Sequence, residues 1–215
     1  MKNQFAKDTE TAVNAVGGLS QPSKMPCFSW SIPATLCVTG QKLRNVANSV
    51  CSKCYALKGF YGYPQPQKAM ARRLESFNSD AWVENMARAI AGSETSGFFR
   101  WFDSGDIQSV EMLEKIVEVC KRLPKIKFWL PTREYSFVSE YLAKHKSFPK
   151  NLNVRLSALL IDGPAPKAIA KRFGLTTSRV VSEKFSCPSS LQGGKCLTCR
   201  ACWDKKVKNV SYKKH

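Results

Sequence analysis

The sequence predicts an α/β fold, a partial or complete (βα) barrel with cysteine-rich N- and C-terminal segments. Three observations predict it. Between residues 67 and 185, helical and strand-like apolar patterns alternate, the mark of βα units around a parallel sheet. The 215 residues, 43% hydrophobic and 11% aromatic, suit a single domain with a full core. Eight of the nine cysteines lie outside the alternating region. We therefore read one domain over 1–215: a cysteine-containing N-terminal segment (1–66), a βα-barrel-like core (67–185) and a basic, cluster-binding C-terminal segment (186–215).

The elements follow in order. Gln67–Phe77 and Asp80–Ala91 read as helices, the second with Trp82, Val83, Met86, Ala87 and Ile90 on one side. Phe98–Phe102 is the first strand-like run. In Ser109–Leu123, Val110, Leu113, Ile116, Val117, Cys120 and Leu123 recur at helical spacing, so Cys120 reads as a small buried hydrophobe. Ile126–Leu130 is the second run and Tyr135–Lys144 the next helix. Asn153–Leu160 is the third run, Ala165–Phe173 a helix closed by Gly174, and Arg179–Ser182 a further strand.

In a βα fold the carboxyl ends of the strands face the active side. The first run ends in Asp103-Ser104-Gly105-Asp106, the second in Pro131-Thr132-Arg133-Glu134, and the third carries Arg155 and Ser157. Asp103, Asp106, Arg133, Glu134 and Arg155 are therefore candidate ligand-binding residues. Arg133 suits an anion best, because a guanidinium binds carboxylate or phosphate bidentately. Asp103 and Asp106 also suit the turn and cap before the Ser109 helix. No residue identifies itself as catalytic.

The cysteines carry the chemistry. Nine cysteines stand against two histidines, His145 and His215, too few for an HExxH zinc site or a Ser-His or Cys-His nucleophile system. The polar start MKNQFAKDTE lacks a signal-peptide core and no apolar run reaches membrane length, so a soluble, cytoplasmic protein without membrane contact is expected. Disulfides do not persist there, which favours metal binding. Cys196, Cys199 and Cys202 form an overlapping CxxCxxC, and the remote Cys187 precedes Pro188. That is the ligand inventory of a bacterial ferredoxin site. Zinc, which more often takes separated pairs, is the alternative. The N-terminal set is less regular: Cys27, Cys37, Cys51 and Cys54 are separated by nine, thirteen and two residues. It supplies a second site through Cys37, Cys51 and Cys54, with or without Cys27. Sharing of thiols between the two ends is a further arrangement.

With 34 Lys+Arg against 16 Asp+Glu the net charge is +18. Lys195, Arg200, Lys205, Lys206, Lys208, Lys213 and Lys214 crowd the end of the chain. This patch suits a nucleic-acid backbone, and equally the compensation of an anionic thiolate cluster.

The runs KLRNVANSVCSKCYALKG, FFRWFDSGDIQS, FWLPTRE, NVRLSAL and CLTCRACWDKKVKNVSYKKH resemble the gene-product-eighty-eight-like bacteriophage proteins from about Met25 to His215. That resemblance implies a phage-encoded protein acting in the host bacterial cytoplasm. A wider resemblance is to radical SAM barrels, whose CxxxCxxC motif, followed by an aromatic residue, holds a cluster with one open iron for S-adenosylmethionine. Cys51, Cys54 and Tyr55 match the end of that motif. Ala47 stands where its first cysteine belongs, so Cys37 would have to serve through a long loop. Asp103-Ser104-Gly105-Asp106 departs from the family's Gly-Gly-Glu-Pro segment. The C-terminal CxxCxxC is similar to the auxiliary-cluster segments of some of those enzymes.

Three functions are thus expected from the sequence. The first is a redox or electron-transfer protein with one or two [4Fe–4S] clusters and a host redox partner. The second is a radical SAM-like enzyme using an N-terminal cluster. The third is a zinc-stabilised protein binding nucleic acid through its basic C-terminal segment.

Overall fold

The computed structural model describes residues 2–214; His215 lies outside them. Six strands form one sheet: β1 (Ser29–Trp30), β2 (Phe98–Trp101), β3 (Lys127–Thr132), β4 (Leu152–Ser157), β5 (Thr176–Val181) and β6 (Asn209–Lys213). Every neighbouring pair is parallel and the spatial order follows the chain order. Seven helices accompany them among the described residues: α1 (Lys2–Ala15), α2 (Val38–Leu43), α3 (Pro64–Ser76), α4 (Trp82–Ser93), α5 (Val110–Arg122), α6 (Tyr135–His145) and α7 (Lys167–Phe173). The α/β class read from the sequence is therefore present, as successive βα units. The β5–β6 connection differs: it carries the C-terminal cysteines and a 3₁₀ turn, Pro188–Leu191, in place of an α-helix.

Local chemistry sets the element ends. The Ser109 hydroxyl accepts a hydrogen bond from the Met112 amide at 3.1 Å and caps α5. Glu111 in the first turn and Lys121 and Arg122 in the last complement the helix dipole. Pro64 starts α3, and Gly174 closes α7 in the left-handed conformation. Cys120 is fully buried on α5 beside Ile116 and Val117.

The two sheet faces differ sharply. Phe99, Trp101, Phe128, Leu130, Leu152, Val154 and Leu156 pack against helical residues such as Met86, Ile90, Leu113, Ile116 and Val138 in one apolar core. On the opposite face Phe98 and Trp129 meet Trp203, Cys202 and Cys27 in a second, smaller cluster. There the strands also present polar residues: Thr176 donates to Asn153 Oδ1 at 2.9 Å, and the Ser157 and Ser178 hydroxyls lie 3.0 Å apart. The C-terminal segment covers this polar strip.

Candidate functional site

The segments that follow β1 to β4 come together around Cys37, Cys51 and Cys54. After β1 the chain makes a 3₁₀ turn (Ala34–Leu36) and enters α2 with Cys37 as its N-cap. Gly40 lies directly under this thiol: a Cβ there would sit 2.7 Å from the Cβ of Cys37. Glu134, from the end of β3, caps the same helix. Its two oxygens accept from the Thr39 amide at 2.8 Å and the Thr39 hydroxyl at 2.7 Å. Cys51 opens a second 3₁₀ turn (Cys51–Lys53) built on Ser49, whose hydroxyl accepts from the Ser52 amide. That loop is tied to the chain after β4, with the Val50 amide donating to Leu159 O and the Ile161 amide to Asn48 O.

These ties bring Cys37, Cys51 and Cys54 into one electrostatic neighbourhood. Burial pushes the Cys37 thiol up, and Asp106, Cys54, Cys51 and Glu134 add to the shift. Burial also raises Cys51, while Arg133 pulls it back down. Asp106, its carboxyl desolvated at the end of β2, is pushed up to about 6 although it accepts from the Ile107 and Arg133 amides. Gly105 makes this turn possible. Its φ is +83°, and a Cβ would strike Ile32 at 2.4 Å.

The predicted ligand-binding residues divide into those the protein already uses and one left open. Asp103 accepts from the Ser29 hydroxyl at 2.6 Å and the Tyr61 hydroxyl at 2.8 Å, and its carbonyl accepts from the Tyr55 hydroxyl at 2.6 Å. It anchors the loop after Cys54. Asp106 and Glu134 likewise hold backbone. Arg155 is fully buried and donates to the carbonyls of Thr177, Ala201 and Val207 at 2.7–3.1 Å, so it pins the C-terminal segment to the sheet. Its place on β4 puts it on the face opposite the helices, beneath residues 201–207, rather than at the open strand ends. Arg133 alone keeps its terminal amino groups free of protein hydrogen bonds among the described residues; its Nε donates to Ala158 O at 3.1 Å. Ser104 adds a feature that sequence reading left without a role: its hydroxyl is buried without a hydrogen-bond partner among the described residues.

The C-terminal cysteines form a separate group. Cys196 is raised chiefly by burial, then by Cys187, with Arg100 pulling it down. Cys202 is pushed up to about 11 by burial; Tyr212, 3.2 Å away, and Arg155 oppose the shift. Cys27, pushed up to about 12 by burial, belongs here and not with Cys37: Arg100, Cys196 and Arg200 are among its charged neighbours. The Cys196 amide also donates to Lys24 O, which joins the two ends of the chain. All nine cysteines are free thiols. Among the described residues, no three His, Cys, Asp or Glu side chains gather closely enough to hold one metal ion. His145 stacks on Tyr141, far in the chain from either group, and bonds Glu114.

Comparison with known families decides the relationship. The model of the family described as Gene product 88 matches residues 2–205. The chain belongs to that family. The matched span takes in all the cysteines of both groups, from Cys27 to Cys202. No curated protein and no solved structure matches the chain. No helix among the described residues is long and apolar enough to cross a membrane.

Proposed function

We propose that this chain is an iron–sulfur enzyme of the radical SAM-like kind. In this reading Cys37, Cys51 and Cys54 hold a [4Fe–4S] cluster at the mouth formed by the strand ends. Cys187, Cys196, Cys199 and Cys202 hold a second, redox cluster. The sheet is then an open, barrel-like arc whose interior is filled by the C-terminal segment.

One observation carries the reading: three thiols from the loop after β1 share a neighbourhood at the carboxyl end of a sequentially ordered parallel sheet, apart from the C-terminal thiols. Thiolates are soft ligands suited to iron–sulfur clusters. The thiolates of a cubane bind different irons, so they stand farther apart than the ligands of one zinc ion. Three protein thiolates leave one iron open, whereas four saturate the cluster. When bound, such a cluster supplies the electron that cleaves S-adenosylmethionine. The protein's own residues do the rest: Arg133 adds a positive charge near Cys51, and the Ser104 hydroxyl, without a partner among the described residues, offers a buried hydrogen bond after β2.

Anaerobic purification with iron and sulfide analysis tests this directly. The expected result is a brown protein with about eight irons, falling to about four in a variant with Cys37, Cys51 and Cys54 all changed to Ala. Reduced protein given S-adenosylmethionine should release methionine, and the triple variant should not. Full iron without any response to S-adenosylmethionine would leave a pure electron carrier, the first of the functions expected from the sequence. A colourless protein with stoichiometric zinc after reconstitution would overturn both.

A further inference from the structure

We infer that the rim of this mouth binds single-stranded nucleic acid, on a platform of exposed aromatic rings set among lysines. The inference rests on the mouth being the working end of the molecule, as proposed above, and names the class of substrate brought to it.

The charge pattern is the first support. From Thr11 to Leu74 the chain contains no Asp or Glu but eight basic residues: Lys24, Lys42, Arg44, Lys53, Lys58, Lys68, Arg72 and Arg73. The ion pairs seen among the described residues all use glutamates of α4, α5 and α6. Exposed Lys53, Lys58 and Lys68 therefore face solvent without a paired carboxylate.

The rings are the second. Phe60 is 72% exposed, Tyr63 60% and Tyr55 49%, although aromatic rings ordinarily dominate cores. Phe60 and Tyr63 stand edge to face, 5.8 Å between centroids, and Tyr55 meets Tyr61 at 5.7 Å. The platform is held in place from below. Tyr61 is fixed to Asp103 and its carbonyl accepts from Gln67 at 2.6 Å, so the loop presents its outer rings on a fastened base. Tyr55 directly follows Cys54, and exposed Leu36 directly precedes Cys37, which puts the platform beside the candidate cluster site.

Exposed rings alternating with lysines match what a single strand requires: bases stack on the rings while cations follow the phosphates. A second copy of this chain fits poorly, because the unpaired lysines of two such surfaces would repel. An acidic polypeptide would use the lysines but gain nothing from the rings.

The test is fluorescence anisotropy of labelled oligo-dT and oligo-U with the full-length chain, with iron and sulfide measured in every sample. Wild-type protein should bind, more weakly as salt rises. Changing Phe60 and Tyr63 together to Ala should weaken binding roughly ten-fold or more while leaving iron content unchanged. Changing Lys53, Lys58 and Lys68 to Gln should reduce the slope of log affinity against log salt by about two. Changing Lys206, Lys208 and Lys214 to Gln on the C-terminal segment should leave the dependence on the rings intact. The inference is overturned if neither oligonucleotide binds. It is also overturned if binding is lost with the C-terminal lysines but not with the rings. Equal competition by polyglutamate, with no effect of the rings, would point to an acidic polypeptide and overturn it too. A sample without iron that still binds through the rings would sink the cluster reading and leave this one standing.

Discussion

Around Cys37 and Cys51 the neighbouring charges are two carboxylates, Asp106 and Glu134, with Arg133 near Cys51. Around Cys196 and Cys202 they are guanidiniums, Arg100, Arg155 and Arg200. The contrast extends to construction. The N-terminal thiols hang on loops tied to four strand ends, whereas the C-terminal thiols ride on a segment laid across the sheet and held by Arg155. Burial does not separate the two sets: Cys37, Cys51, Cys54, Cys187, Cys196 and Cys199 are all partly exposed, and only Cys202 among the C-terminal four is buried. The surroundings of Cys37 and of the C-terminal thiols push in opposite electrical directions, since nearby cations favour the more reduced state of a cluster and carboxylates oppose it.

The largest way to break this comparison is to remove Arg155. Its guanidinium satisfies backbone carbonyls on both the sheet and the C-terminal segment, and those acceptors would be left buried and unpaired. Arg155→Met should cost roughly 3–4 kcal/mol in chemical unfolding. Of the two clusters proposed above, the C-terminal one should go first: iron should fall by about half, with methionine formation from S-adenosylmethionine losing less than iron does. Equal loss at both sites would mean that the two groups fold as one unit.

A pH titration isolates the mouth. Asp106 is pushed up to about 6 from an ordinary value of 3.8 by desolvation, so the folded chain holds its proton more tightly than the unfolded chain does. Its contribution therefore favours folding most below pH 4 and is lost as pH rises to about 6. Relative to Asp106→Asn, the metal-free wild-type chain should lose up to about 3 kcal/mol over that window and stay level on either side. Urea unfolding at stepped pH measures it. A flat difference would mean that the carboxyl is better solvated than its burial implies.

Much of the fold was legible and the reasons are local. The helices α4 and α5 announce themselves by apolar periodicity and, for α5, by its Ser109 cap. β1 was not legible because it is two residues long. β6 reads as part of a lysine-rich tail, and only the pairing of Val210 and Tyr212 with β5 reveals it as a strand. β4 and β5 were blurred because one face carries Asn153, Arg155, Thr176 and Ser178, polar residues whose partners come from the C-terminal segment. α1 has a narrow apolar face, with Ala12 buried near its end, and its sequence is largely polar. The site was half legible. Cysteine spacing separates the two groups, but the membership of Cys27 and the anchoring role of Asp103 depend on contacts across many tens of residues.

Redox potentials sharpen the electrical half of the comparison. The C-terminal cluster should accept an electron before the mouth cluster does. Arg100 lowers Cys27, Cys196 and Cys202, so it is the cation shared across that group. Arg100→Gln should bring the C-terminal potential down by on the order of tens of millivolts and narrow the gap. Electron paramagnetic resonance during a reductive titration reads both centres. Reduction of the mouth cluster first would reverse the assignment of charge to potential.

The smallest expected effect concerns the fifth thiol of the C-terminal group. Cys27 lies with Cys187, Cys196, Cys199 and Cys202, yet a cubane takes only four protein ligands. The C-terminal four lie within one short stretch of chain, and Cys196 has both Cys187 and Cys199 among its neighbours. For Cys27, Cys196 is the one cysteine among the charged neighbours that shape its thiol. Cys27→Ser should therefore keep all the iron of the wild-type protein, while Cys196→Ser loses the C-terminal share. A serine buried where Cys27 is 4% exposed costs only what its hydroxyl fails to bond, about 1–3 kcal/mol. If Cys27→Ser instead sheds about four irons, the N-terminal segment supplies a ligand to the C-terminal cluster. Closing the sheet and loading the metal would then be the same event, since the two ends of the chain would be joined through the iron as well as through the Cys196–Lys24 hydrogen bond.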